Sequence, residues 1–228
     1  MIEQERHVLV IFPHPDDEAF GVSGTITSYI KQGTPLTYAC LTLGEMGRNL
    51  GKPAFATRET LPEIRRKELI KAAEAMGIQD LRMMGLRDKT LEFEDDTQMK
   101  NMVKDLIDEL NPSLVISFYP GYAVHPDHEA TARAVVRALR DMKPEDRPKF
   151  HAVAFANNTE EELGQPDVVN DIQAVQEEKL KAMRAHISQT ARMLEMLEEG
   201  IKAKDPEAMK WVTNERFYTY NWDQDQVK

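Results

Sequence analysis

Two short motifs, Pro13-His14-Pro15-Asp16-Asp17-Glu18 and His125-Pro126-Asp127-His128, carry the residue types of a catalytic metal centre. Together they hold three of the chain's six histidines and three aspartates. His14 and Asp17 are three residues apart, as are His125 and His128, and at a strand-to-helix turn such pairs can point the same way. His14, Asp17 and one histidine of the second motif would supply three ligands. That leaves the fourth position of a tetrahedral Zn²⁺ for water, as in catalytic zinc sites. His128 is assigned as the third ligand because it begins a helix and is the more rigidly placed. Asp16 is then free to act as general base on the activated water. A protonated His125 would stabilise an oxyanion and assist a leaving amine, with Asp127 orienting it and raising its pKa. Metal, water, base and oxyanion donor together describe hydrolysis of an amide or ester.

Each motif alone has a plainer reading. Asp16, Asp17 and Glu18 could be ordinary acids in a helix's first turn. What outweighs that reading is the elements around them. Apolar runs at His7–Phe12, Pro35–Leu43, Asp80–Met84, Ser113–Phe118 and Phe150–Phe155 read as strands. Helical spacing falls between them, over Phe20–Lys31, Pro62–Met76, Met99–Leu110 and Glu129–Asp141. This alternation predicts an α/β chain, a three-layer Rossmann-like sheet, mostly parallel, of order 3-2-1-4-5. Strands 1 and 4 are neighbours there, and their connections leave to opposite faces, opening a crevice at their carboxyl ends. One motif follows strand 1 and the other follows strand 4.

The C-terminal part reads differently. Ile172–Glu199 is one long amphipathic stretch, and Arg216–Tyr220 could add a short strand. The expectation is a single domain over 1–228, a Rossmann-like core at 1–157 with a helical C-terminal extension at 158–228. His7 and His151 read as structural. His186 reads as a packing histidine, although Ser188 and Gln189 beside it leave a functional role open. The Gly-rich loop over 44–60 is a candidate lid.

The chain has 228 residues, of which 41% are hydrophobic and 30% charged, the balance of a soluble globular protein. Its formal net charge of −10 disfavours nucleic acid as a partner. No apolar run reaches membrane-spanning length, no leader pattern precedes the first strand, and Cys40 is the lone cysteine, so a cytoplasmic location is expected. A basic cluster, Arg48, Lys52, Arg58, Arg65, Arg66 and Lys67, stands out on the crevice side. One or two of its arginines could bind a substrate carboxylate.

The two motifs, with Gly44-Glu45, Arg65, Glu68, Arg87-Asp88 and the stretch ending Ala185-His186-Ile187-Ser188-Gln189, resemble the LmbE-like (PIG-L) N-acetylglucosamine deacetylases. Within that family the chain is most similar to the second form of the deacetylases of bacillithiol biosynthesis. The resemblance implies removal of acetate from N-acetylglucosaminyl-malate. It implies zinc, or ferrous iron, on His14, Asp17 and His128, Asp16 as base and His125 as partner of the intermediate. It implies that Arg65 and Asp88 hold the sugar or its aglycone, with Arg48 a further candidate. Tyr122 is placed near the acetyl oxygen, although the family's tyrosine sits at a slightly different spacing. It also implies a homo-oligomer, a trimer or hexamer, and a small amino-sugar substrate. The competing readings are an amidase acting on bacillithiol S-conjugates or on other N-acetylglucosaminides, a ferrous non-haem oxygenase, and a non-catalytic nucleotide- or metal-binding module. A Gly-x-Gly-x-x-Gly turn is missing after strand 1, which counts against the last.

Overall fold

A computed structural model describes residues 2–228. Strands β1 (Val8–Phe12), β2 (Leu36–Cys40), β3 (Asp80–Met83), β4 (Leu114–Phe118) and β5 (Lys149–Val153) run parallel in the order 3-2-1-4-5. β1, β2 and β4 are buried along their whole length, as central strands covered on both faces must be.

Their side chains alternate between two cores. Val8, Val10, Phe12, Tyr38, Ile116 and Phe118 face helices α1 (Asp17–Gly21), α2 (Ser23–Lys31) and α3 (Leu61–Met76). Leu9, Ile11, Ala39 and Val115 face α4 (Asp96–Leu110) and α5 (Pro126–Arg140). The chain therefore leaves β1 toward one face and β4 toward the other, with the two strands paired side by side, Val8 opposite Leu114 and Val10 opposite Ile116. The sheet's switch point is where the sequence places it.

Two elements differ from expectation. The stretch expected as one helix from Phe20 is α1 and α2, broken at Val22, whose φ of −144° is not helical. The break lets a remote carboxylate serve α2: Glu215 accepts from the N–H groups of Gly24 (2.9 Å) and Thr25 (2.7 Å).

The C-terminal region is not simply helical. After α6 (Thr159–Leu163) and β6 (Val168–Asp171), the long amphipathic stretch divides at His186 into α7 (Gln176–Ala185) and α8 (Ile187–Lys202). A further helix, α9 (Pro206–Thr213), leads into β7 (Asn214–Thr219). β7 inserts antiparallel between β5 and β6 and extends the sheet order to 3-2-1-4-5-7-6. α7 and α8 contribute Leu180, Met183, Leu194 and Leu197 to the core that also holds Val10 and Phe12. Cys40 is buried and unpaired in a disulfide. No helix among the described residues is long and apolar enough to cross a membrane.

Candidate metal centre

The carboxyl ends of β1 and β4 bring His14, Asp17 and His128 together. His14 Nδ1 lies 3.2 Å from His128 Nε2. Asp17 Oδ1 is 3.3 Å from His128 Nε2, and Asp17 Oδ2 is 3.6 Å from His14 Nδ1. Asp17 is aimed by the turn itself, since its carboxylate also accepts from the backbone N–H of His14 at 2.9 Å. Phe118, the last residue of β4, stacks on the His128 ring with centroids 4.2 Å apart.

The outer partners of the two imidazoles fix their tautomers. His14 Nε2 faces Asp127 Oδ2 and Asp88 Oδ1, each at 3.1 Å, and so carries a proton. His128 Nδ1 faces the Ala123 carbonyl at 3.0 Å and does the same. In the neutral tautomers the nitrogens that face each other across 3.2 Å both present lone pairs, which only a shared proton or a cation can bridge. Two lone pairs beside a carboxylate call for a cation between them. The separations match the ~3.3 Å edge of a tetrahedron with ligand bonds of ~2.0–2.1 Å. The donor set fits a divalent ion. Burial opposes charge on His14, yet hydrogen bonds to Asp127 and Asp88 and the field of Asp17 outweigh it and raise its pKa to about 10. A proton thus takes the position that a metal would contest.

His125 also lies close, its ring centroid 4.9 Å from that of His14 and 5.1 Å from that of His128. Its donor atom belongs to a looser triad with His14 and His128, all within 4.8 Å. Its Nδ1 accepts from the Asp127 backbone N–H at 3.1 Å, which puts the ring proton on Nε2. Burial first, then charge on His14 and His128, hold its pKa below the ordinary value. The lowered pKa disfavours the charged form expected of His125, while the contact at Nδ1 leaves Nε2 able to donate. Asp127 does not orient it through its carboxylate. That carboxylate is fully buried and is used on His14 and on the N–H groups of Lys89 (2.7 Å) and Leu91 (3.2 Å). The reason is geometric: Asp127 sits in the first turn of α5 and points inward, toward the β1 side.

Asp16 lies beside the three donors with its side chain 17% exposed. Burial pushes its pKa up to about 6, against the pull of Arg65. Arg65, expected to touch substrate, is instead buried. It donates to the carbonyls of Gly44 (2.9 Å) and Pro15, and its Nη2 lies 3.2 Å from Asp16 Oδ2. Gly44 is required there, with φ +61° and a Cβ position 1.9 Å from the Arg65 guanidinium. Asp88 is likewise internal. Beyond His14 it accepts from the Met46 N–H at 2.8 Å, and although burial would raise its pKa, the bond to His14 brings it down to about 2. Arg48 is exposed on the 44–60 loop. Tyr122 turns its hydroxyl to Glu162 at 2.8 Å and lines a cleft of ≈580 Å³ that includes none of the clustered histidines. Asp17 and His128 instead border an apolar cavity of ≈430 Å³ with Phe20, Phe118, Phe155, Met193 and Trp211.

Sequence reasoning passed over Glu18 and Ala123. Both stand within a motif's reach, but only the folded chain shows what they hold. The loop read as a candidate lid is tied to α8: Leu50 N–H donates to the Ser188 carbonyl (2.7 Å), and the Gln189 side chain donates to the Arg48 carbonyl (2.8 Å).

Comparison with known proteins gives the family. The family described as PIG-L, GlcNAc-PI de-N-acetylase, matches residues 9–139. A protein of Bacillus cereus, "Probable N-acetyl-alpha-D-glucosaminyl L-malate deacetylase 2", is 57% identical over 96% of this chain and 100% of its own length. Its Bacillus subtilis namesake is 53% identical over 96% of this chain and 99% of its own. Among solved structures, the N,N'-diacetylchitobiose deacetylase of Pyrococcus horikoshii superposes with a TM-score of 0.71 at 25% identity, covering 95% of this chain and 84% of that one. With a switch-point crevice built from both motifs and matches of this extent, the chain belongs to the PIG-L de-N-acetylase family.

Proposed function

We propose that the protein is a metal-dependent deacetylase that removes acetate from N-acetylglucosaminyl-malate, the step named for its 57% identical relative. The class of chemistry is hydrolysis of a linear amide. The observation that carries the reading is the pair of imidazole nitrogens facing each other at 3.2 Å, flanked by Asp17, with a partly exposed carboxylate next to them.

His14, Asp17 and His128 would hold the ion, and zinc suits two nitrogens and one carboxylate, with ferrous iron an alternative. When bound, such an ion supplies Lewis acidity and lowers the pKa of water toward roughly 7. Asp16 takes the proton as the water attacks the acetamide carbon. Its pKa of about 6 suits it to accept near neutrality and to return the proton to the departing amine. His125 donates from Nε2 to the oxygen that gains charge. Arg65 holds the Asp16 carboxylate in place. Arg48, exposed at the loop, is a candidate from the basic cluster for the malate carboxylates. The whole chain acts as one domain, since α7, α8 and β7 complete the core and sheet of the first 157 residues. A homo-oligomer is part of the same proposal.

The test is acetate release from N-acetylglucosaminyl-malate, with and without chelator and with zinc restored. Release that is abolished by chelator and returns with zinc supports the reading. Absence of release from the zinc-loaded protein rejects it. A second substrate belongs in the same assay. The apolar cavity beside Asp17 and His128 has room for the apolar group of a bacillithiol S-conjugate, and faster turnover of that conjugate would make the protein an amidase.

A further inference from the structure

A buried pair stands behind Asp16 that the reaction above does not use. His186 Nε2 lies 2.6 Å from Glu18 Oε1, and both side chains are fully buried. The other oxygen of Glu18 accepts from the Tyr38 hydroxyl at 2.9 Å and from the Asp16 backbone N–H at 3.1 Å. The carbonyl at the opposite end of that same peptide unit, Pro15 C=O, accepts from Arg65. The Pro15–Asp16 peptide is therefore gripped at both its N–H and its C=O.

The grip matters because of what it holds. Asp16 has φ 121° and ψ −28°, a conformation that strains any residue with a Cβ. Such strain costs on the order of 1–3 kcal/mol and persists only where the surroundings over-determine it. Turning the peptide plane changes the Asp16 φ directly, and with it the direction of the carboxylate. Glu18 fixes that plane from one side. Its own orientation depends on His186, which arrives from the α7–α8 junction, 168 residues along the chain. His186 Nδ1 has no hydrogen-bond partner among the described residues, so the whole side-chain polar interaction of His186 is with Glu18.

We propose that His186, acting through Glu18, is a positioning residue that holds Asp16 in its strained, reaction-ready conformation. The break between α7 and α8 is the device that delivers it. This rests on the reading of Asp16 as the base.

The experiment compares His186→Ala and His186→Gln with the parent protein in two readouts. The first is the crystal structure of each metal-free protein, which needs no substrate. The second is steady-state kinetics on N-acetylglucosaminyl-malate with zinc content measured. In His186→Ala the Asp16 φ is expected to leave the positive region. Its kcat should fall by about tenfold or more, since small misplacements of a reacting group are costly. KM and bound zinc should stay within about twofold, the pattern of a contact needed only in the transition state. His186→Gln, whose amide can still donate to Glu18, should recover most of the kcat. If His186→Ala does not fold, Tyr38→Phe removes another support of Glu18 at nearly constant volume, and its kcat should fall in the same manner. The proposal is overturned if Asp16 keeps its φ while kcat is unchanged and only thermal stability drops, or if the Gln variant is as slow as the Ala variant. A parent protein that releases no acetate would reject the proposed function instead, and the crystallographic comparison would still decide the role of His186.

Discussion

Asp16 and Asp127 are neighbours of the proposed metal ligands and have opposite fates. Asp16 keeps a solvent-exposed edge, while Asp127 is sealed in and bonded to His14. Replacing Asp16 by Asn should leave metal bound and reduce kcat by roughly 10²–10⁴, the usual contribution of a positioned base. The pH profile carries the same information. Asp16 works as base only when deprotonated, and its pKa is raised to about 6, so activity should fall as pH drops through that region, about tenfold per unit below it. A bound cation favours the carboxylate and moves this limb to lower pH. An acid limb that survives unchanged in Asp16→Asn would assign it to another group. Asp127→Asn should act on the metal. Removing the carboxylate behind a ligating imidazole is expected to weaken zinc binding by about 10–100-fold, read by competition with a chromophoric chelator. Had Asp127 served His125, zinc affinity would stay the same and only kcat would change.

At the scale of elements, the site depends on helix starts served by distant parts of the chain. α2 has no side-chain cap of its own, and its first N–H groups are satisfied by Glu215 of β7. Glu215 is in turn paired with Lys179 of α7 at 2.7 Å, both side chains 1% exposed. Lys179→Met should destabilise the fold by about 3–5 kcal/mol in a denaturant titration, because it strands a buried carboxylate. A loss below about 1 kcal/mol would mean that water reaches Glu215 once the lysine is gone. Tight packing enforces the same arrangement: a Cβ on Gly24 would fall 2.4 Å from the Ile172 side chain. These contacts tie the C-terminal third to α1 and α2, the connection that begins with Asp17.

For the whole molecule, the proposed ligand set would link metal binding to folding. Those residues come from 14–17 and from 128, so an ion bridging them would stabilise only the folded chain. At a free zinc concentration of ~100 times Kd the gain is about 2.7 kcal/mol, which for a chain of this size raises Tm by roughly 5–10 °C. A chelated sample with an unchanged Tm would place the ion outside this cluster.

The sequence by itself determined the order of the central strands, the switch point between β1 and β4, and the two motifs that meet there. These are written in local periodicity and in residue types at fixed spacing, which neighbouring residues alone can encode. Gly77, just past the Pro62–Met76 helix that the spacing predicts, closes α3 with φ 84°. Only the tertiary structure decided which carboxylate serves which histidine, that Arg65 and Asp88 face inward, and that β7 inserts beside β5. Each of these depends on where a side chain points after distant segments pack, and no spacing along the chain records that. His186 is the clearest instance: an isolated histidine on an amphipathic run in the sequence, it becomes the partner of Glu18 only once α7 and α8 close over the carboxyl end of β1.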